Sequence, residues 1–249
     1  ALPLRPRRYD LDAEAPPATG RGRLTLAGDR REGLTPRPLT LSSRAPVSLA
    51  GSIHGGPSVP SKGHPVLSKK IYLAGPEVFL ANAREILDRK AALTRAAGFT
   101  PISPGDLDIP PSDTKKGFGL AISEVDEQMM LAADAVIANL TPFRGIAADT
   151  GTTFELGFMC GLGKPVFAYT NVSANHFARV LEYYDGAVAE GEDGHKRGPD
   201  GLSVEDFEMI DNLMLHGGIE RRGGAVVVGN ADPAALYTDL AALEACLAI

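Results

Sequence analysis

The sequence has no tryptophan, only two cysteines and no long uninterrupted apolar run. Cys160 and Cys246 are too few for a disulfide framework or a cysteine-based zinc site, and the histidines and acidic residues show no metal-site spacing. No segment approaches the roughly 18–20 consecutive apolar residues that a membrane span requires. We therefore expect a cytoplasmic protein that needs no metal or other cofactor and has no membrane partner.

An excess of positive charge is also missing, since the 249 residues carry a formal net charge of −6. Because nucleic-acid binding rests largely on cationic contacts with phosphates, this balance argues against a nucleic-acid partner. Hydrophobic residues make up 44% of the chain and charged residues 22%, close to ordinary globular usage. This composition excludes collagen, a coiled coil and disorder along the whole chain.

The chain divides into two regions of different composition. Residues 1–65 contain ten of the 19 prolines, one of the 15 aromatic residues, and ten Lys or Arg against five Asp or Glu. Proline removes amide donors, and so few large apolar side chains cannot offset the entropy of ordering. We expect residues 1–65 to be a disordered or extended tail and residues 66–249 to form one domain. A genuine tail and a start site assigned too far upstream remain alternatives.

Short apolar segments alternate with segments of helical periodicity in the second region. The strands are expected at residues 70–76, 99–102, 134–140, 164–169 and 225–228. The helices are expected at residues 79–97, 120–133, 152–162, 204–215 and 233–247. Residues 171–202 are rich in Gly, Asp and Glu and are expected to form a long excursion, either a lid or an inert surface loop.

This alternation predicts an α/β fold, a flavodoxin-like doubly wound five-stranded parallel sheet with helices on both faces. In such sheets the ligand binds beyond the carboxyl ends of the strands. The rule selects three places, which are Gly75–Phe79, Thr141–Glu155 and the loop after Tyr169.

Two acidic residues lie at the second of these places. Asp149 precedes a predicted helix, and Glu155 lies in its first turns, where the helix dipole favours an ionised carboxylate. A fixed, ionised carboxylate can attack the C1 atom of a sugar. Taken alone, Asp149 is better explained as a helix cap and Glu155 as a solvated acid. Asp126, on the preceding predicted helix, is likewise better explained as a solvated residue.

Four segments, taken together, favour a functional explanation of these acidic residues over a structural one. They are Ile71-Tyr72-Leu73-Ala74-Gly75-Pro76, Asp134 through Leu140, Asp149 through Gly157 with Lys164-Pro165-Val166 after it, and Asp211-Asn212-Leu213-Met214. In order and spacing they resemble the nucleoside 2-deoxyribosyltransferase family. The resemblance covers most of residues 69–220 and leaves out the first 65.

The resemblance implies transfer of 2-deoxyribose between nucleobases by double displacement, without a cofactor. Glu155 would match the nucleophile that attacks C1′ of a deoxyribonucleoside and forms a covalent glycosyl-enzyme. Asp126 would match the residue that exchanges a proton with the base, and Tyr72 a residue that orients the nucleophile. The partners implied are deoxyribonucleosides and free nucleobases.

The resemblance also implies substrate-binding positions. Asp149 would bind a sugar hydroxyl, and Gly75 and Phe79 would lie where the ligand meets the end of the first strand. Asn212 and Met214 would match residues that a neighbouring subunit supplies, which implies a homo-oligomer with shared active sites.

Two other functions remain open from the sequence. One is an N-glycosidase that uses water as acceptor on nucleosides or nucleotides, and the other is a nucleotide-sensing module without turnover. The acids Asp149 and Asp211 would repel a 5′-phosphate, whereas Arg144 would favour one if its side chain points into the site.

Overall fold

The computed structural model describes residues 68–249. The predicted tail lies outside the described residues, so the division of the chain at residue 65 stays a prediction. No helix within residues 68–249 is both long and apolar enough to cross a membrane.

Seven strands and six α-helices make up the described part. The strands are β1 (Lys70–Ala74), β2 (Thr100–Ile102), β3 (Ala135–Asn139), β4 (Val166–Thr170), β5 (Ala189–Glu190), β6 (Lys196–Arg197) and β7 (Val226–Val228). The helices are α1 (Ala83–Ala96), α2 (Lys115–Ala132), α3 (Thr150–Gly161), α4 (His176–Tyr183), α5 (Leu213–Glu220) and α6 (Ala241–Leu247). Short 3-10 helices occur at Pro76–Phe79 and Pro233–Ala235.

Five of these strands form one parallel sheet in the order β2-β1-β3-β4-β7. Tyr72 of β1 is paired with Val136 of β3 at the centre of the sheet. The strand order reverses between β1 and β3, and ligands of doubly wound sheets bind at such a reversal. The predicted flavodoxin-like fold is confirmed.

Alternation of side chains along the strands produces two apolar cores, one on each face of the sheet. On one face, Tyr72, Val136 and Ala168 pack against buried residues of α2, α3 and α5. On the other face, Leu73, Ile137 and Tyr169 pack against buried residues of α1 and α6. Because both faces are covered, the strands are nearly continuous apolar runs, and this is why the sequence located them well.

Two predicted helices were misplaced. The helix expected at residues 204–215 begins only at Leu213, because Asn212 caps it and Glu205 accepts hydrogen bonds from Asn212 Nδ2 and the Leu213 amide. The last predicted helix is a 3-10 turn at Pro233–Ala235 followed by α6. The excursion at residues 171–202 contains α4 and the antiparallel pair β5–β6.

Candidate active site

The centre of the candidate site is a hydrogen bond between β1 and α3. Tyr72 is fully buried, and its hydroxyl donates to Glu155 Oε1 at 2.6 Å. Asp149 caps the same helix, since its Oδ2 accepts from the Thr152 amide at 2.9 Å and from the Thr152 hydroxyl at 3.2 Å. The cap fixes the start of α3 and thereby the position of Glu155 one and a half turns later.

Asp126 reaches the same place from α2. Its negative charge raises the pKa of both Glu155 and Tyr72, so the three side chains lie close together. The end of α2 is held by Lys164, whose ammonium donates to the carbonyls of Met130, Leu131 and Ala133 at 2.9, 2.8 and 2.6 Å. The segment that leads into β4 is thus tied to the C-terminal end of the helix that carries Asp126.

Burial dominates the acidity of Glu155. It raises the pKa of this carboxyl group to about 7, and the negative charges of Asp126 and Asp149 act in the same direction. The hydrogen bond from Tyr72 and the positive charge of Lys90 oppose the rise. The helix dipole was expected to keep Glu155 ionised, but its effect fades beyond the first turn, and Glu155 is the sixth residue of α3.

Asp126 and Glu155 are therefore two carboxyl groups in a shared, partly dry environment. Burial raises the pKa of Asp126 as well. The negative charge of Asp126 adds to the rise in the pKa of Glu155. Both carboxyl groups therefore hold their protons to a higher pH than they would in water.

Replacing Tyr72 with phenylalanine is expected to raise the pKa of Glu155 further above about 7. The variant removes the hydroxyl that donates to the ionised carboxylate, and a charge-assisted hydrogen bond is worth roughly one pKa unit or more. The measurement is a pH titration of carbon-13-labelled glutamate side chains by NMR.

Tyr169→Phe is the matched control for this titration. Tyr169 is equally buried and donates to a carboxylate, Glu77, but from the opposite face of the sheet. We expect it to leave the Glu155 titration where it is in the unmodified protein. A Glu155 pKa that is the same in Tyr72→Phe and the unmodified protein would contradict the role assigned to this hydrogen bond.

A buried polar cluster that sequence reasoning missed lies next to this edge of the sheet. Glu77 Oε1 accepts from Lys90 Nζ at 2.7 Å, from Tyr169 OH at 2.9 Å and from Asn139 Nδ2 at 3.0 Å, and both Glu77 and Lys90 are fully buried. A side chain on Gly75 would collide with the Glu77 carboxyl group, so glycine is required there by close approach. Lys90 lies on the buried stripe of α1, a sequence signal that points to a buried partner.

Phe79 ends the 3-10 turn that follows Gly75, and its side chain is 54% exposed. Phe79 takes no part in the Tyr72–Glu155 hydrogen bond, but it belongs to the loop that follows the carboxyl end of β1. Its ring stacks on Phe143, in the loop that leaves β3, with the centroids 5.2 Å apart. The loops after β1 and β3 therefore contact each other beside the strand-order reversal.

Asn212 and Met214 are not brought to Glu155 by hydrogen bonds within the chain. Asn212 Oδ1 accepts from the Met214 amide at 3.0 Å, and Asn212 Nδ2 donates to Glu205 at 2.8 Å. The Met214 side chain is 64% exposed. Both residues therefore lie at the start of α5, where Asn212 is half-buried and Met214 is exposed.

Asp211 does not act as a free negative charge near the site. It is buried, and its Oδ2 accepts from Arg179 Nη2 at 3.1 Å and from the Ala148 amide at 3.0 Å. Arg179 also donates to the carbonyl of Ile146 at 2.7 Å, so the pair ties the loop before α3 to the start of α5. Because its charge is paired with that of Arg179, Asp211 would repel a phosphate only weakly.

Within residues 68–249, no group of three or more His, Cys, Asp or Glu side chains is arranged to hold a metal ion.

Comparisons with known proteins give the family of this chain. The family model for nucleoside 2-deoxyribosyltransferase matches residues 71–214, more than half of the chain. An uncharacterized protein of Schizosaccharomyces pombe is 32% identical over 182 residues, which cover 69% of this chain and 86% of that protein.

Two solved structures are also similar. A 2-desoxiribosyltransferase from Leishmania mexicana is 34% identical, with 59% of this chain and 85% of that chain covered and a TM-score of 0.46. A 2-deoxyribosyltransferase from Bacillus psychrosaccharolyticus is 25% identical, with coverages of 57% and 97% and a TM-score of 0.36. The family match spans Tyr72, Asp126, Asp149, Glu155 and Asn212. The chain belongs to the nucleoside 2-deoxyribosyltransferase family.

Proposed function

We propose that this protein exchanges the base of 2′-deoxyribonucleosides through a covalent deoxyribosyl-enzyme. The observation that carries the proposal is the 2.6 Å hydrogen bond from Tyr72 to Glu155, beside a second carboxyl group, Asp126. Membership in the family supports the reaction class. The remaining steps follow from what each side chain can do.

In the first half-reaction, ionised Glu155 attacks C1′ of the nucleoside and forms a glycosyl ester. The bond between C1′ and the base nitrogen breaks, and the electron pair of that bond goes to the base. Protonated Asp126 gives its proton to the departing base, which leaves neutral. The Tyr72 hydroxyl orients Glu155 and stabilises its charge before attack.

In the second half-reaction, another base takes the place of the first. Asp126, now ionised, removes a proton from the incoming base, whose nitrogen attacks C1′ and displaces Glu155. Two inversions give retention at C1′, and the covalent intermediate requires ping-pong kinetics. Both half-reactions use the same pair of carboxyl groups in opposite protonation states.

The binding roles follow from the loops around this pair. The helix-capping bonds of Asp149 use Oδ2, and we assign its Oδ1 to a sugar hydroxyl. The loop from Gly75 to Phe79 borders the base, for which the exposed Phe79 ring provides an apolar contact.

Incubation with one deoxyribonucleoside and a different free base, followed by chromatography, tests the proposal. We expect a new deoxyribonucleoside that contains the second base. Free base and free deoxyribose without a new nucleoside would show a hydrolase instead. No reaction with any purine or pyrimidine deoxyribonucleoside would favour a sensing module.

Shared active sites in a homo-oligomer are the second part of the proposal. Large apolar side chains stay exposed on α2, α3 and α5, three helices of one sheet face, of which α3 contacts both of the others. They are Phe118, Leu120, Ile122, Leu131, Phe154, Leu213 and Met214. Exposed apolar surface of this extent is typical of interfaces, and Phe154 is the neighbour of Glu155. A second copy covering this face would bring Asn212 and Met214 toward the site.

Subunit complementation tests the sharing. Glu155→Ala and Asn212→Ser are each expected to lose most activity, and serine keeps a helix-capping oxygen at position 212. Hetero-oligomers isolated with two different affinity tags should recover about half of the unmodified activity, since one of two symmetry-related sites is then intact. Differently tagged Glu155→Ala subunits serve as the control and should recover none. Failure of the mixed oligomer to exceed either parent would remove Asn212 from the neighbouring site.

A further inference from the structure

A platform of two aromatic rings and one arginine lies beside the candidate site. Phe79 and Phe143 are stacked with their centroids 5.2 Å apart and their planes 19° apart. The guanidinium carbon of Arg144 is 5.1 Å from the Phe79 centroid and 4.7 Å from the Phe143 centroid. The exposed side chain of Arg144 thus lies against both rings.

The loop that carries Arg144 is braced on both sides. The Tyr237 hydroxyl donates to the Pro142 carbonyl at 2.5 Å, and the Tyr237 ring meets Phe143 edge-on. The Phe143 amide donates to the Ala147 carbonyl at 3.0 Å. These contacts fix the platform before any ligand binds.

Arg144 has a backbone conformation that L residues rarely adopt. Its φ is 55°, in the left-handed region, although the next residue is a glycine that would accept this conformation without strain. Within residues 68–249, no carboxylate lies within ion-pair distance of its guanidinium. Strain of this kind persists where the side chain it presents has a use, and a stacked cation with open donors is suited to a ligand.

The platform lies where the ligand of such a sheet binds. Phe79 ends the turn after β1, and Arg144 lies between β3 and Asp149, on either side of the strand-order reversal. Tyr72 and Glu155 meet at the same edge through β1 and α3. The two loops that carry the platform therefore leave the sheet beside the strands and helix that position Tyr72 and Glu155.

We propose that Arg144 sets the base preference by pairing with two neighbouring acceptors on the base edge. A guanidinium presents two parallel N–H groups, which match the O6 and N7 atoms of a 6-oxopurine. A 6-aminopurine places a donor where O6 would be, so only one of the two bonds can form. The inference rests on the proposed base exchange and names its preferred substrates as 2′-deoxynucleosides of 6-oxopurines.

The same contact assists departure of the base. When the C1′–N bond breaks, negative charge spreads over the base and its carbonyl oxygen. A positive charge that already faces this oxygen attracts it more strongly in the transition state than in the bound substrate, and this lowers the barrier. Arg144 is thus assigned to both specificity and rate.

The test compares Arg144→Gly, Arg144→Lys and the unmodified protein on deoxyinosine, deoxyadenosine and deoxyinosine 5′-monophosphate. Both variants are expected to lose roughly 10- to 100-fold in kcat/KM on deoxyinosine, as one bidentate contact predicts, and to lose much less on deoxyadenosine. Lysine keeps the positive charge but not the two parallel N–H groups, so Arg144→Lys should not recover the rate on deoxyinosine. Glycine accepts the backbone conformation, so the melting temperature should not fall.

Arg89→Met, an exposed residue of α1, is the control for loss of one positive charge and should behave like the unmodified protein. Equal losses on deoxyinosine and deoxyadenosine would overturn the proposal in favour of a structural role. A loss confined to the 5′-phosphorylated substrate would overturn it in favour of phosphate binding.

A direct binding measurement separates this inference from the proposed reaction. If the unmodified protein turns over none of the three substrates, base exchange fails, but calorimetry with free hypoxanthine and adenine still tests Arg144. We expect hypoxanthine to bind more tightly than adenine, and Arg144→Gly to remove the difference. Equal affinities of the unmodified protein for the two bases would overturn the assignment.

Discussion

Glu155→Gln is expected to abolish base exchange and base release together, with a loss of at least about a thousandfold. The amide has nearly the shape of the carboxylate and can still accept the hydrogen bond from Tyr72, but it cannot form the glycosyl ester. Both reactions pass through this ester, so neither has an alternative route. The measurement is the initial rate of base release with and without an acceptor base.

The covalent intermediate gives an independent readout of the same variant. Acid-quenched, unmodified protein incubated with a deoxyribonucleoside alone should carry a deoxyribosyl adduct on the peptide that contains Glu155. The adduct should be absent in Glu155→Gln and present in Glu244→Gln, an exposed control on α6. Turnover by Glu155→Gln at the unmodified rate would falsify the assignment of the nucleophile.

Asp126→Asn is expected to lower the rate on ordinary deoxyribonucleosides by about a hundredfold to ten thousandfold, the usual range for a general acid. Asparagine cannot protonate the leaving base. A substrate whose base leaves without protonation, such as the 2′-deoxynucleoside of 7-methylguanine, should therefore be nearly unaffected. Asp185→Asn, at an exposed turn with a φ of 50° that asparagine tolerates, is the matched control.

The same variant also has a pH signature with a defined sign. The active form needs Glu155 ionised and Asp126 protonated, so the rate falls at high pH as Asp126 loses the proton that its raised pKa retains. Asp126→Asn has no such proton to lose, so this fall of the rate at high pH should disappear. An equal loss on both kinds of leaving base, with an unchanged fall at high pH, would assign Asp126 to structure and not to proton transfer.

The sheet could be predicted from the sequence because its strands are buried on both faces. The strand ends differ from the expected ones by only a few residues, and the strand order follows from the βαβ alternation. The start of α5 could not be predicted in this way. Apolar periodicity predicts a helix that begins at Val204. The helix begins only after Asn212, because the cap at this residue depends on Glu205 and on a segment held by Arg179.

Within the site, short motifs identified side chains but not their environments. The family resemblance indicated Tyr72, Asp126 and Glu155, and the structure brings them together. The acidity of Glu155 depends on how much water the fold leaves around it, which no local pattern encodes. Glu77 and Lys90 escaped notice for a related reason, since the ion pair joins two separate elements and only Lys90, on the buried stripe of α1, carries a local signal of burial.

The Glu77–Lys90 pair also limits how this protein can evolve. Removing either partner leaves the other charge buried and unpaired, at a cost of about 3–5 kcal/mol, against a total stability of roughly 5–15 kcal/mol for a typical domain. Most single mutations at either position would therefore be eliminated before a compensating change could arise. Since Tyr169 and Asn139 also donate to Glu77, the four residues form a unit that descendants must keep or replace together. The exposed residues of the loop that carries Gly75 and Phe79 can change singly, and with them its contacts to a ligand. The four buried residues that hold this loop cannot be replaced one at a time.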